Sequence, residues 1–158
     1  MNNGPDGSRL EKLLEMEFEH LQKINDKYDG SRFQVKNWAV TTGGAVLALS
    51  VTSKRFELAL IGGLVVLVFA YIEAIYMHMQ DCVIARCNKI ERLLDAASRG
   101  QLTALEGEYR FGVSQAFEGR LHVKDVVRAL DGRPHIYVLY AGILAILAAA
   151  AVALVLAK

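Results

Sequence analysis

The chain has 158 residues, 53% of them hydrophobic and 22% charged, with a formal net charge of +1, and its mean hydropathy is +0.26. A water-soluble domain with that much charge seldom reaches so apolar an average, so the apolar residues must be gathered into spans and the charges into the remainder. The balanced charge excludes nucleic-acid binding driven by a basic excess.

Residues Met1 to Ser8 are polar, with neither a basic start nor an apolar core, so no cleavable signal peptide is expected and the spans themselves direct insertion. Ser8 and Glu11 have capping-box spacing. Leu10, Leu14, Phe18, Leu21, Ile24 and Tyr28 then recur at three- and four-residue steps, which predicts an amphipathic helix over residues 8–29. Its acids (Glu11, Glu15, Glu17, Glu19) are matched by bases (Lys12, Lys23, Lys27), a mixture that suits packing on another helix better than binding a membrane surface. Asp29-Gly30-Ser31 is expected to end it.

A connector with Arg32, Lys36 and an interfacial Trp38 leads into a first predicted span, about residues 36–53. Its uncharged part, Ala39 to Ser53, is weakly apolar because it contains Thr41, Thr42, Gly43, Gly44 and Ser50. At about 1.5 Å per residue it barely crosses a hydrocarbon core of about 30 Å. It is therefore expected to insert as a hairpin (residues 36–79) with a full-length second span at 58–79, across the short Thr52 to Glu57 connection. Gly62, Gly63, Ala70 and Ala74 give the second span a small-residue face, and Tyr71, Glu73, Tyr76 and His78 mark its inner end.

The helical pattern continues without Gly or Pro through Ala97, with Val83, Cys87, Ile90, Leu94 and Ala97 spaced four, three, four and three. This coiled-coil-like face is expected to pack on the N-terminal helix as a cytoplasmic bundle. Residues 80–134 form the cytoplasmic helical region, with helix and loop over 100–120 and a helix over 121–130 stopped by Asp131-Gly132-Arg133-Pro134. A third span is predicted at 136–157, where Ala141, Ala145, Ala149, Ala153 and Ala157 fall at every fourth residue. Such a face permits close helix approach, either inside the bundle or between subunits. The expected fold class is an all-α membrane protein with three transmembrane helices and a cytoplasmic helical bundle.

Six Lys and Arg precede the first span and nine lie between the second and third, against Lys54, Arg55 and Lys158 elsewhere. The positive-inside rule then places the N-terminus and the central region in the cytoplasm and the hairpin tip and C-terminus in the periplasm.

Glu73 is the one acid inside a span. It is read either as a structural partner of Lys36, Tyr76 or His78, or as lining a pore or proton path, with Thr41, Thr42 and Ser50 as the other intramembrane polar candidates. His78, Cys82 and Cys87 do not share one helical face, so no metal site is expected, and the two cysteines are expected to stay reduced. Arg128 and His135 approach the spacing of an arginine–histidine ribonuclease motif of the HEPN type, but Gly132 and Pro134 interrupt the helix between them. Without a phosphate loop, a Ser-His-Asp set or paired catalytic carboxylates, no catalytic site or cofactor is expected.

Residues 8–98 taken in order present an amphipathic helix, the Tyr28-Asp29-Gly30-Ser31-Arg32 connector, the Lys36-Asn37-Trp38 entry and a tight hairpin. Gln80-Asp81 to Arg86 and Ile90-Glu91-Arg92-Leu93-Leu94 follow. This layout resembles small bacterial membrane proteins of the SLATT and related two-span effector type, from which the third span departs. The resemblance implies an oligomeric inner-membrane effector of anti-phage defence that perturbs or permeabilises the membrane on a cytoplasmic signal. The partners it implies are the bilayer, further copies of the chain, and a signalling protein or nucleotide second messenger. A non-conducting anchor that recruits a soluble partner through its cytoplasmic helices is the alternative reading.

Overall fold

The computed structural model describes residues 5–99, Gly112, Ala116 and residues 133–157. Among the described residues there are three α-helices: α1 Pro5–Ser53, α2 Phe56–Ser98 and α3 Pro134–Leu156. No strand occurs among the described residues. The elements expected over 100–120 and 121–130, with Arg128, lie outside the described residues.

Helix α1 corrects one expectation. It starts at Pro5, so Ser8 lies inside the helix, and it runs for 49 residues straight through Asp29-Gly30-Ser31. A glycine in a helix interior costs about 1 kcal/mol relative to alanine, too little to break a long helix that packs along its length. Asp29 accepts a hydrogen bond from Gln80 Nε2 of α2 at 2.9 Å. Its carboxylate is thus engaged by a neighbouring helix instead of closing a local turn, which is how tertiary contacts override turn propensity.

The α1–α2 connection is a tight reversal at Lys54 and Arg55. Lys54 has φ of 52°, its N–H bonds to the Val51 carbonyl at 3.2 Å, and the Arg55 N–H bonds to the Ser50 carbonyl at 3.1 Å. These bonds are the Schellman pattern, with lysine in the left-handed position that glycine usually takes. The buried Ser50 hydroxyl reinforces the reversal by donating to the Arg55 carbonyl at 3.0 Å.

The chain divides into two compact units, and α1 and α2 contribute to both. In the charge-rich unit (up to Asp29, and from His78), the buried core is Leu14, Leu21, Val83, Ile90 and Leu93. Leu10, Phe18, Ile24, Tyr28, Cys87 and Leu94 pack against it. Gln80 meets Asn25 and Asp29 and Arg86 meets Glu17, so α2 advances as α1 recedes and the pair is antiparallel.

In the apolar unit (Gly30–Met77, and from residue 123), the core is Ala39, Val66, Met77, Tyr140 and Leu147. Two glycines permit the close approach. A Cβ at Gly62 would stand 2.7 Å from Val46 Cγ1, and one at Gly43 would stand 2.9 Å from Ile143 Cγ2, both inside contact distance. Pro134 opens α3 in its first turn, where its missing N–H and fixed φ carry no penalty.

Among the described residues two helices are long and apolar enough to cross a membrane, α2 with a mean hydropathy of 2.4 in its apolar window and Val138–Leu156 of α3 with 2.7. The first expected span, residues 36–53, is not among them. It is the end of α1, and Lys36, Asn37, three threonines, two serines and two glycines dilute its apolar side chains.

The apolar unit exposes large apolar side chains around a core that also holds two polar ones. Glu73 and Ser50 are fully buried while Trp38, Leu49, Leu64, Val68, Val138 and Leu156 are exposed. Only 28% and 17% of the two apolar windows is buried against protein, where the core helix of a soluble protein would be mostly covered. An apolar surrounding satisfies both features at once.

Candidate functional site: a buried ionic node

Glu73 lies on the face of α2 that also carries Val66 and Met77, seven residues before and four after it, which places a carboxylate at a core position. It is fully buried. Burying an isolated carboxylate is prohibitive, so its partners decide what it can do. Oε2 accepts a hydrogen bond from the Tyr140 hydroxyl of α3 at 2.8 Å. Oε1 faces two cations of α1, Lys36 Nζ at 3.2 Å and Arg32 Nη2 at 3.5 Å. One side chain thus joins α1, α2 and α3.

The cations are placed by helical spacing, since Arg32 and Lys36 are four residues apart and project from one face of α1. This requires the helix to continue past Gly30, so the absent break is what builds the site. Their side chains are 14% and 29% exposed, against 0% for Glu73. The acid is sealed and the bases reach the surface. Glu73 therefore stays inside the unit, and α1 supplies its counter-charges.

The remaining sequence candidates are scattered. Thr41 is exposed and Thr42 half-buried, and Ser50 is engaged by the helix reversal, so these three do not converge with Glu73. Ala141, Ala145, Ala149, Ala153 and Ala157 are all exposed, and a Cβ at Gly142 would meet no atom within 4 Å. The alanine face is therefore not the interior of this chain's bundle. α3 turns Tyr140, Leu147 and Ala151 inward instead.

Cys82 Sγ lies 3.9 Å from His78 Nε2 within one helical turn. Among the described residues no three His, Cys, Asp or Glu gather as a metal ion would need.

Sequence reasoning had Glu73 and its link to Lys36 but missed Tyr140 and Arg32 as partners. A tyrosine in the first turns of an apolar span is a readable signal, because its ring tolerates burial and its hydroxyl seeks an acceptor. Glu17 with Arg86 was missed as well. Arg86 Nε and Nη2 both donate to Glu17 Oε1, at 3.1 and 2.9 Å, in the charge-rich unit. Compared with known protein families, with curated proteins and with solved structures, the chain matches none.

Proposed function

We propose that the chain is an oligomeric inner-membrane effector, one that perturbs or permeabilises the bilayer when its cytoplasmic unit receives a signal. The observation that carries this reading is that α1 and α2 each belong without a break to both the charge-rich and the apolar unit. A binding event on the first unit thereby acts on helices that are also membrane helices. In this reading α2 and α3 span the membrane, and the end of α1 enters beside them because its cations Arg32 and Lys36 pair with Glu73 and its outward side chains Val40, Leu49 and Val51 are apolar. The N-terminus and the charge-rich unit are cytoplasmic and the Lys54–Arg55 tip is periplasmic. The exposed alanine face of α3 is the contact between copies. Defence against phage, with a signalling protein or nucleotide second messenger as trigger, follows from the resemblance of residues 8–98 to SLATT-like effectors.

Induction in cells while membrane potential and dye leakage are followed tests the activity. Loss of potential with leakage is expected, and intact membranes after confirmed activation would sink it. Topology has its own test: Lys54→Cys, with both native cysteines replaced by serine, is expected to react with an impermeant maleimide in intact cells after opening of the outer membrane. Reaction only after lysis would overturn the orientation.

One observation favours the second reading, a non-conducting anchor that recruits a soluble protein. Met16 and Ile84 in the charge-rich unit are 59% and 41% exposed, and large apolar side chains on such a surface suit a partner helix. A stoichiometric soluble partner recovered by pull-down, with no ion flux, would select it.

A further inference from the structure

One side of the apolar unit takes no part in the Glu73 node. Ser31, Gln34, Val35 and Trp38 fall at steps of three, one and three residues on α1, and Phe69, Ile72 and Tyr76 at steps of three and four on α2, so each set shares one side of its helix. Together they line a cavity of about 240 Å³ between the two helices, open on one side. No described residue of α3 lines it, and none of its lining side chains belongs to the node.

The lining states what kind of ligand fits. Three of its seven residues are aromatic and none is an acid or a base. A charged group would therefore enter without a counter-charge, whereas a flat ring finds other rings to pack on. In the antiparallel register that Lys36 and Glu73 fix, Ser31 and Gln34 stand across from Tyr76 at one end, and Trp38 stands across from Phe69 about 10 Å further along. The first end offers a hydroxyl and an amide for hydrogen bonding, the second mainly ring surface. An apolar cavity of about 150 Å³ takes up a benzene ring, so this one has room for a substituted ring. In the membrane reading its open side faces lipid, and a ligand arrives through the bilayer.

We propose that this cavity binds the head of a membrane-soluble quinone, a neutral planar ring with carbonyl oxygens at its edge, joined to an apolar tail. The proposal rests on the membrane reading given above. The ring lies among Trp38, Phe69 and Tyr76, the Gln34 amide donates to a carbonyl oxygen, and the tail leaves through the open side into lipid. Its walls come from α1 and α2 together, so binding stabilises the arrangement of the two helices that makes the cavity. The same two helices continue into the charge-rich unit, and the ligand thereby acts on the elements that carry the signal.

Trp38 is the chain's single tryptophan and lines the cavity, so its fluorescence reads occupancy directly. The full chain in phosphatidylcholine vesicles is titrated with a benzoquinone that carries a decyl tail. Quenching that saturates at low mole fraction is expected, in contrast to the linear quenching by a quinone that is only dissolved in the bilayer. Gln34→Leu removes one hydrogen bond and should weaken binding about threefold to tenfold. Ile72→Phe fills the space and should abolish saturation. Gln34 is exposed, so its variant keeps the helices whether or not the filled one does, and circular dichroism checks both.

Linear quenching of the unmodified chain, or saturation untouched by both variants, overturns the site. Relief of the quenching by decanol at equal mole fraction would show that any apolar tail suffices, and would overturn the assignment to a quinone. Flotation separates the site from the reading it rests on. Protein that floats with vesicles but is quenched only linearly refutes this site alone, whereas protein that fails to float refutes the membrane reading and the site with it.

Discussion

The two units each bury a carboxylate against arginine, and they do so by different means. In the charge-rich unit Glu17 and Arg86 are 6% and 7% exposed and joined through two hydrogen bonds on one carboxylate oxygen. In the apolar unit Glu73 is wholly sealed, shares one oxygen between two bases and accepts a hydrogen bond from a tyrosine hydroxyl on the other. The first arrangement closes two arginine N–H groups on one oxygen, where the gain from pairing has to offset the loss of water around both groups. The second spreads one carboxylate over partners on two other helices. A pair of the first kind fixes the register of two helices; a node of the second kind ties three together.

The largest expected effect breaks the closed pair. Glu17→Ala leaves Arg86 buried without its carboxylate and should cost about 3–5 kcal/mol in denaturant unfolding, whereas Glu17→Leu with Arg86→Leu should be nearly neutral or stabilising. A double variant as unstable as the single one would show that the pair does more than hold register. Next is Val83→Pro, at a buried position of the same unit. Loss of one helical hydrogen bond and a ring clash cost about 3 kcal/mol or more. Limited proteolysis should show the charge-rich unit opened while the protein still floats with membranes, and the membrane effect should be lost. A variant with full effect would mean that α2 does not link signal to membrane.

In the apolar unit the contrast lies between two glycines. Gly62→Val forces a side chain against Val46 and should cost about 1–3 kcal/mol by overpacking, read as a lower melting temperature in detergent. A Cβ at Gly142 meets no atom within 4 Å among the described residues, so Gly142→Val should leave that temperature unchanged. If it instead changes the oligomeric state, the alanine face is a subunit contact.

The smallest effect concerns Cys87 in the charge-rich unit. Burial first, and then the Glu91 and Glu17 carboxylates, push its thiol up from the ordinary value of 9.0. The folded thiol keeps its proton where the unfolded one loses it, so stability is unaffected below about pH 9 and falls as pH rises past that value. Alkylation at pH 8 should be slower in the folded protein than in denaturant, and Cys87→Ser should remove the alkaline decline.

Periodicity made the helical faces legible. Leu14, Leu21, Val83 and Ile90 share a face by spacing alone, and the same residues form the core of the charge-rich unit. The uncharged runs of α2 and α3 were equally plain, because hydropathy over some twenty residues is a property of the chain and not of its neighbours. The turn read at Asp29-Gly30-Ser31 was not there, since turn chemistry is a weak local preference and Asp29 finds its partner on α2. For the same reason the partners of Glu73 were only half visible. Tyr140 lies 67 residues away in sequence, and no periodicity connects a hydroxyl on one span to a carboxylate on another.

What the amino-acid sequence by itself determined is the helical class, the two strongly apolar helices and the separation of charge from hydrophobicity, all set by local composition and period. Only the tertiary structure decided that α1 is one helix, that it yields Arg32 and Lys36 to Glu73, and that α3 turns Tyr140 inward and Ala141, Ala145, Ala149 and Ala153 out. Those choices depend on which side chains fill the space between helices and which charges meet across it, and both follow from packing, not from any single helix.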